Sequence, residues 1–307
     1  MVLQRTLKRS VSIAGVGLHS GGKIQMSMKP GAPNQGIVFV RKDLAGSPSI
    51  TADFRNVAKT QLATTLGSGE LSVSTVEHVL AALQGMSIDN AVIEVDGPEV
   101  PIMDGSAAPF VQAIERAGIQ SQLQARTAVM LCRRIEVKLD GKWAVAEPSV
   151  DLRIQASIEW DHPWIGYQEF SYTEGKTDFK EIADSRTFGF LRDVEALRRM
   201  GLARGGSLEN AVVLDDGRVL NPEGLRHPDE FVRHKIVDAL GDLKLAGCAL
   251  RAKIRLHRSG HDLHWQLLKE IFSSPANYEV IESPADQRGA VAGIGAALLG
   301  GRIAASF

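Results

Sequence analysis

Phe231-Val-Arg-His234-Lys235-Ile-Val-Asp238-Ala-Leu-Gly-Asp242 is the stretch from which the rest of the chain is read. As a helix it sets His234 and Asp238 four residues apart, one turn along the same face. An imidazole and a carboxylate stacked in this way can reach one metal ion. Asp242 follows one turn later, about 80° round from His234 at a period of 3.6. Lys235 lies on the neighbouring face. Taken alone, such a pair more often marks an ordinary amphipathic helix with a solvated His/Asp contact.

The surroundings of this helix suggest the fold. Acids at Asp229 and Glu230 open it, as the helix dipole favours, and Gly247 ends it, giving a helix over about 229–246. A strand over 250–256, a loop ending in Ser259-Gly260-His261 and a helix over 262–272 come next. The first half runs in the same order. A helix over about 74–85 carries Val76, Val79, Leu80 and Leu83 at helical spacing. A strand over 90–95, a Pro/Gly-rich loop and a helix over 107–117 ending at Gly118 complete it. Equivalent order predicts two copies of one α+β unit, residues 1–120 and 127–280. Gln120–Arg126, polar and without apolar periodicity, is expected to link them. Residues 2–30 read as two strands around the Gly-rich bend that holds His19. An apolar insertion is expected over about 191–220, and residues 281–307 form a Gly/Ala-rich tail without an assigned role.

Bulk properties narrow the class. A length of 307 residues suits about two domains of ~150 residues. Apolar content of 44% and charged content of 23% fit a globular protein with substantial cores. A net charge of -1 argues against a nucleic-acid partner or a membrane-surface binder, so an anionic substrate must meet a local cluster. No window approaches the ~20 apolar residues of a membrane span. The N-terminus lacks the apolar core of a signal peptide. Cys132 and Cys248 have no motif spacing, which points to a reducing cytoplasm, with Cys248 as a buried thiol. A monomer is expected.

Each metal-capable residue lies on the first helix of its unit: His78 in one, His234 and Asp238 in the other. A site at the interface of the two units would unite them. Two histidines and a carboxylate, with a fourth position open to water, form a catalytic zinc arrangement; iron(II) suits the same set. Such a site needs a general base, and Glu77 immediately precedes a ligand. A competing local reading makes Ser74-Thr-Val-Glu77 a capping box, with Glu77 reaching back to Ser74. His261 can protonate the departing group, Asp242 can keep that imidazole charged, and Lys235 can stabilise an oxyanion. The alternative is a binding module whose His/Asp set is structural or solvated.

Longer motifs carry a resemblance. They include Gly15-Val-Gly-Leu-His19-Ser-Gly, Ser74-Thr-Val-Glu77-His78, Ile88-Asp-Asn and Pro101-Ile-Met-Asp104-Gly-Ser-Ala-Ala-Pro-Phe. Ser185-Arg-Thr187-Phe188-Gly-Phe190, Gly205-Gly-Ser, the quoted helix and Ser259-Gly-His261 follow in order across nearly the whole chain. The sequence closely resembles the LpxC family, the UDP-3-O-acyl-N-acetylglucosamine deacetylases of lipid A biosynthesis.

The resemblance implies two α+β domains with their helices packed between the two sheets. It implies a zinc amidase that releases acetate from UDP-3-O-(3-hydroxyacyl)-N-acetylglucosamine. His78, His234 and Asp238 are then the ligands, Glu77 the base, and His261 with Asp242 the acid. Thr187 and Lys235 hold the oxyanion, and Phe188 lies beside the nucleotide-sugar. Leu191, Val194, Leu197, Gly206, Leu208, Ala211 and Val213 would line a passage for the acyl chain. His19 would be near the site without being a ligand. A related zinc hydrolase acting on another N-acyl sugar is a third reading. The chain departs from the family pattern at His264-Trp265, where an Asn pair is frequent, and at Gln61-Leu-Ala63, in place of a more apolar, thiol-containing run.

Overall fold

The computed structural model describes residues 2–282. Among these the fold is α+β. A five-stranded sheet runs in the order Val11–Val16, Lys23–Pro30, Ala91–Val95, Ile37–Arg41, Ser49–Thr51. A seven-stranded sheet is built around Ala249–His257, which pairs antiparallel with Lys142–Pro148 and parallel with both Arg153–Trp160 and Thr127–Leu131. Alternation explains this central strand: Ala252, Ile254 and Leu256 are buried while Lys253 between them is exposed.

Six helices are described: α1 (Glu77–Gly85), α2 (Ala108–Ala117), α3 (Lys180–Ala183), α4 (Leu191–Arg199), α5 (Glu230–Leu243) and α6 (His261–Ile271). α1 packs against both α2 and α5, and α5 rests on Arg153–Trp160 and Gly166–Thr173. α6 rests on Ile135–Leu139 and Lys142–Pro148. Every residue of α1 from Glu77 to Gln84 is buried. A helix enclosed all round needs apolar residues on all faces, and Val79, Leu80, Ala81, Ala82 and Leu83 meet that demand. Full burial of side chains such as Leu80 and Phe231 contributes about 1.5–3 kcal/mol each.

Three expectations are corrected. The stretch 120–126 is not a free linker: Ile119–Ala125 is a strand paired antiparallel with Leu3–Leu7. Backbone hydrogen bonding holds this ribbon, so its polar side chains need no core and leave no apolar period. Residues 2–30 hold three strands, because Leu3–Leu7 is separate from Val11–Val16 and Lys23–Pro30.

The capping box does not form. α1 starts at Glu77, the preceding Thr75 has φ 58°, and Ser74 N–H donates to the Pro98 carbonyl at 2.9 Å. The Ser74 hydroxyl meets Thr65 Oγ1 at 2.9 Å, while Glu77 Oε2 accepts the Thr64 N–H at 3.0 Å. The Glu77 carboxylate is therefore turned away from its own helix start. The strand Tyr278–Glu282 pairs with Thr127–Leu131, and the Gly/Ala-rich stretch beyond it lies outside the described residues.

Among the described residues no helix is long and apolar enough to cross a membrane. Cys132 is exposed and Cys248 half-buried, both as free thiols.

Candidate metal centre and active site

The contact of α1 with α5 brings together side chains more than 150 residues apart in the chain. His234 Nε2 is 3.2 Å and His78 Nε2 3.6 Å from Asp238 Oδ1. The two imidazoles meet edge to face, with ring centroids 5.0 Å apart. Ligands about 2 Å from a tetrahedral ion stand about 3.3 Å from one another, so these separations suit one bound cation.

The donor chemistry agrees. His234 Nδ1 lies 3.0 Å from the Ser185 carbonyl, which can only accept, so Nδ1 carries the hydrogen. Burial lowers the pKa of His234, against the pull of Asp238, and favours the neutral ring. Its Nε2 lone pair then faces a carboxylate oxygen, an arrangement that a cation between them makes favourable. Burial alone would raise the Asp238 pKa, but His234 and Lys235 hold it well below the usual carboxylate range. Lys235 Nζ donates to Asp238 Oδ2 at 2.8 Å, leaving Oδ1 towards the histidines.

Glu77 opens α1 beside this cluster. Burial raises its pKa, while His261 and His78 oppose the rise. A buried carboxylate with a raised pKa is the expected form of a general base. Across from it, His261 Nδ1 donates to Asp242 Oδ2 at 2.8 Å. Burial would lower the His261 pKa, but the carboxylates of Asp242 and Glu77 raise it to about 10. The ring therefore favours its protonated form at neutral pH, with hydrogen on both nitrogens.

A second cluster, Asp242, His261 and His264, also has its potential ligand atoms within 4.8 Å of one another. Here the geometry is different. Both histidine Nδ1 atoms approach the same oxygen of Asp242, at 2.8 and 2.7 Å, which is hydrogen-bond spacing with a proton on each nitrogen. We read it as a hydrogen-bonded network.

The remaining candidates fall around this centre. Thr187 follows Ser185 by two residues; its N–H donates to the Gly105 carbonyl and its carbonyl accepts from Val212 N–H, both at 2.8 Å. Phe188 packs edge-on against Phe231 and His234, with Lys235 Nζ 5.4 Å from its ring centroid. Leu191, Val194 and Leu197 lie on α4, where no residue is fully buried, and Leu191 is exposed. Gly206 and Ala211 are half-buried and Leu208 is exposed. Val213 lies in Val212–Asp215, the central strand of a three-stranded sheet with Phe188–Phe190 and Arg218–Val219. The insertion is thus tethered to the Phe188 strand that borders the metal centre.

His19 Nδ1 accepts the Ala203 N–H at 3.3 Å, tying the N-terminal bend to the insertion. Burial lowers its pKa. Sequence reasoning did not assign Thr64, the Ser185 carbonyl, Ser259 or His264 to the site. His264 had one available signal, its i,i+3 spacing from His261 on α6.

A family model described as LpxC, UDP-3-O-acyl N-acetylglycosamine deacetylase, matches residues 4–273. This chain belongs to the LpxC family. A UDP-3-O-acyl-N-acetylglucosamine deacetylase of Myxococcus xanthus strain DK1622 is 49% identical over 286 residues, covering 93% of this chain and 90% of the relative. The same-named protein of Acidithiobacillus ferrooxidans is 46% identical, covering 92% of this chain and 94% of its own. That of Geobacter sp. strain M21 is 47% identical, with 92% and 93% covered. Membership makes the chain a metal-dependent deacetylase, a hydrolase.

Proposed function

We propose that this chain hydrolyses the N-acetyl group of UDP-3-O-(3-hydroxyacyl)-N-acetylglucosamine, releasing acetate and the free amine, a step of lipid A biosynthesis. The observation that carries the reading is the convergence of His78, His234 and Asp238 on one point between α1 and α5, with Glu77 beside it. Zinc is the ion that the His/His/Asp set suits, and iron(II) is the alternative. When bound, such an ion supplies Lewis acidity, lowering the pKa of water and polarising a carbonyl.

The protein's own groups do the rest. Glu77 takes the proton from the attacking water. The Lys235 ammonium and the Thr187 hydroxyl stabilise the tetrahedral oxyanion. His261 gives its proton to the nitrogen as the C–N bond breaks, and Asp242 keeps that imidazole charged and oriented. Phe188 borders the nucleotide-sugar. Leu191, Val194, Leu197, Gly206, Leu208, Ala211 and Val213 form the apolar passage for the acyl chain, supported by their clustering on the tethered insertion.

The same reading treats residues 1–120 and 127–280 as two α+β units of a monomer, with the site at their contact. It also makes the protein cytoplasmic, in keeping with its free thiols. The decisive assay measures acetate release from UDP-3-O-acyl-GlcNAc, with acyl length varied, after chelation and after return of zinc or iron(II). Activity lost with the metal and regained with it supports the reading. Hydrolysis that survives complete metal removal sinks it.

A further inference from the structure

The feature that the reaction scheme leaves unused is His264. It is fully buried on α6, one turn after His261, and it makes two hydrogen bonds. Its Nδ1 lies 2.7 Å from Asp242 Oδ2, and its Nε2 lies 3.0 Å from the Ser259 hydroxyl. Asp242 therefore has three side-chain donors: Thr64 Oγ1 on Oδ1 at 2.6 Å, and His261 and His264 together on Oδ2. Two of them come from α6 and the third from the first half of the chain.

The proton positions follow from the partners. A carboxylate only accepts, so both Nδ1 atoms carry hydrogen. His261 is already the charged ring, paired with Asp242 and facing Glu77. A second imidazolium on the same oxygen, with ring centroids 6.4 Å away, would add like-charge repulsion in the interior. The Ser259 hydroxyl removes the need for it, because it can donate to a bare Nε2. The chain of donors then runs Ser259 O–H to His264 Nε2, His264 Nδ1–H to Asp242 Oδ2, with His261 Nδ1–H arriving on the same oxygen.

We propose that His264 is a positioning residue, held as the neutral Nδ1–H tautomer by Ser259, that fixes the Asp242 carboxylate and through it the orientation of the acid His261. Without this donor the Asp242 carboxylate is held only by Thr64 and by the ring it must orient. It can then turn about its own axis, and His261 turns with it. The role is one of orientation, so its loss appears in the chemical step more than in substrate binding. The inference rests on the assignment of His261 and Asp242 given above.

Two measurements test it. In 15N-histidine NMR of the zinc-loaded protein, His264 should carry hydrogen on Nδ1 and none on Nε2. His264→Asn and His264→Gln, each lacking that signal, provide the assignment. A doubly protonated or Nε2–H His264 overturns the proposal without reference to activity.

In kinetics, His264→Leu should lower kcat about tenfold with KM little changed, the scale of one hydrogen bond to a charged group. His264→Asn, which can return an N–H close to the Nδ1 position, should recover most of the loss. His264→Gln, whose amide reaches towards Nε2, should not. In an Asp242→Asn background the His264→Leu penalty should nearly vanish. Losses that multiply, or equal behaviour of the Asn and Gln variants, overturn it. If His264→Leu does not fold, the Asn/Gln pair and the NMR of the unaltered protein still decide. Full turnover in Asp242→Asn or His261→Ala would instead refute the acid assignment, a separate failure.

Discussion

Gly241 of α5 lies directly against the backbone of Glu77 in α1: a Cβ placed there would stand 2.0 Å from the Glu77 carbonyl oxygen. That glycine lets the two helices approach closely enough for His78 to meet His234 and Asp238. A glycine inside a helix carries a propensity cost of about 1 kcal/mol, and the close crossing is what it provides. Gly241→Ala is therefore expected to destabilise the fold by about 1–3 kcal/mol through overpacking. It should also weaken metal binding, since His78 and the α5 ligands are pushed apart. Denaturation and metal titration check both effects, and an alanine variant with unchanged metal affinity would contradict the account.

Glu77 and His78 are adjacent, yet their replacement should give different phenotypes. Glu77→Gln keeps the shape and the acceptor for Thr64 N–H, so metal content should hold while kcat falls by about 10² to 10⁴-fold. His78→Ala removes one of three candidate ligands and should lower metal affinity and turnover together. Metal analysis beside steady-state kinetics separates the two. Wild-type turnover in Glu77→Gln would remove it as the base.

Acid and base assignments also set the pH profile. As the proposed base, Glu77 would act deprotonated, and burial raises its pKa, so activity should climb through a range above that of ordinary carboxylates. As the proposed acid, His261 would act protonated, so activity should fall as pH passes about 10. Replacing Asp242 with Asn removes the principal group holding that proton, and the descending limb should move down towards the 6.5 of an unperturbed imidazole. Stability carries the same sign. A folded-state pKa above the unfolded one makes the His261 contribution complete below about 6.5 and lost as pH rises towards 10. Activity measured from acid to alkaline pH checks both limbs, and melting temperature across alkaline pH checks the stability change.

Much of this arrangement was legible in the sequence, for identifiable reasons. α5 and α6 declare themselves by period and by their Gly boundaries, and the order helix, strand, loop, helix recurs in both halves. The ligand types could be named from His78, His234 and Asp238. Their meeting was expected from the repeated order and from the resemblance, but the close crossing that permits it was not legible, because the meaning of Gly241 appears only with Glu77 opposite it. Ser74 and Glu77 show the same limit. Their spacing matches a local cap, but Thr64, 13 residues before Glu77, takes the carboxylate instead. Ile119–Ala125 failed as a linker because strand pairing with Leu3–Leu7 leaves no apolar signature.

Support for the metal centre extends to Arg186 and Glu230, both buried and joined by Arg186 Nε to Glu230 Oε1 at 2.9 Å. Glu230 also accepts the backbone N–H of Arg186 at 3.0 Å and of Arg226 at 2.7 Å. This clamp fixes the segment whose Ser185 carbonyl receives the His234 Nδ1–H and whose Thr187 stands next in line. Burial alone would raise the Glu230 pKa, but Arg186 and the two backbone donors hold it below the usual range. The stabilisation is thus present above the carboxylate's unfolded pKa and is lost as pH falls through the lower folded value. Glu230→Gln leaves the Arg186 guanidinium with Glu223, which is 54% exposed, as its remaining acidic partner. The expected loss is about 2–4 kcal/mol, somewhat under that of a wholly unpaired buried charge because Glu223 remains. The Ser185 carbonyl should shift with the clamp, so metal affinity falls even though no ligand has been changed. Urea unfolding and metal titration of this one variant measure the two losses. Lost stability with unaltered metal binding would show that the clamp supports the fold without orienting His234.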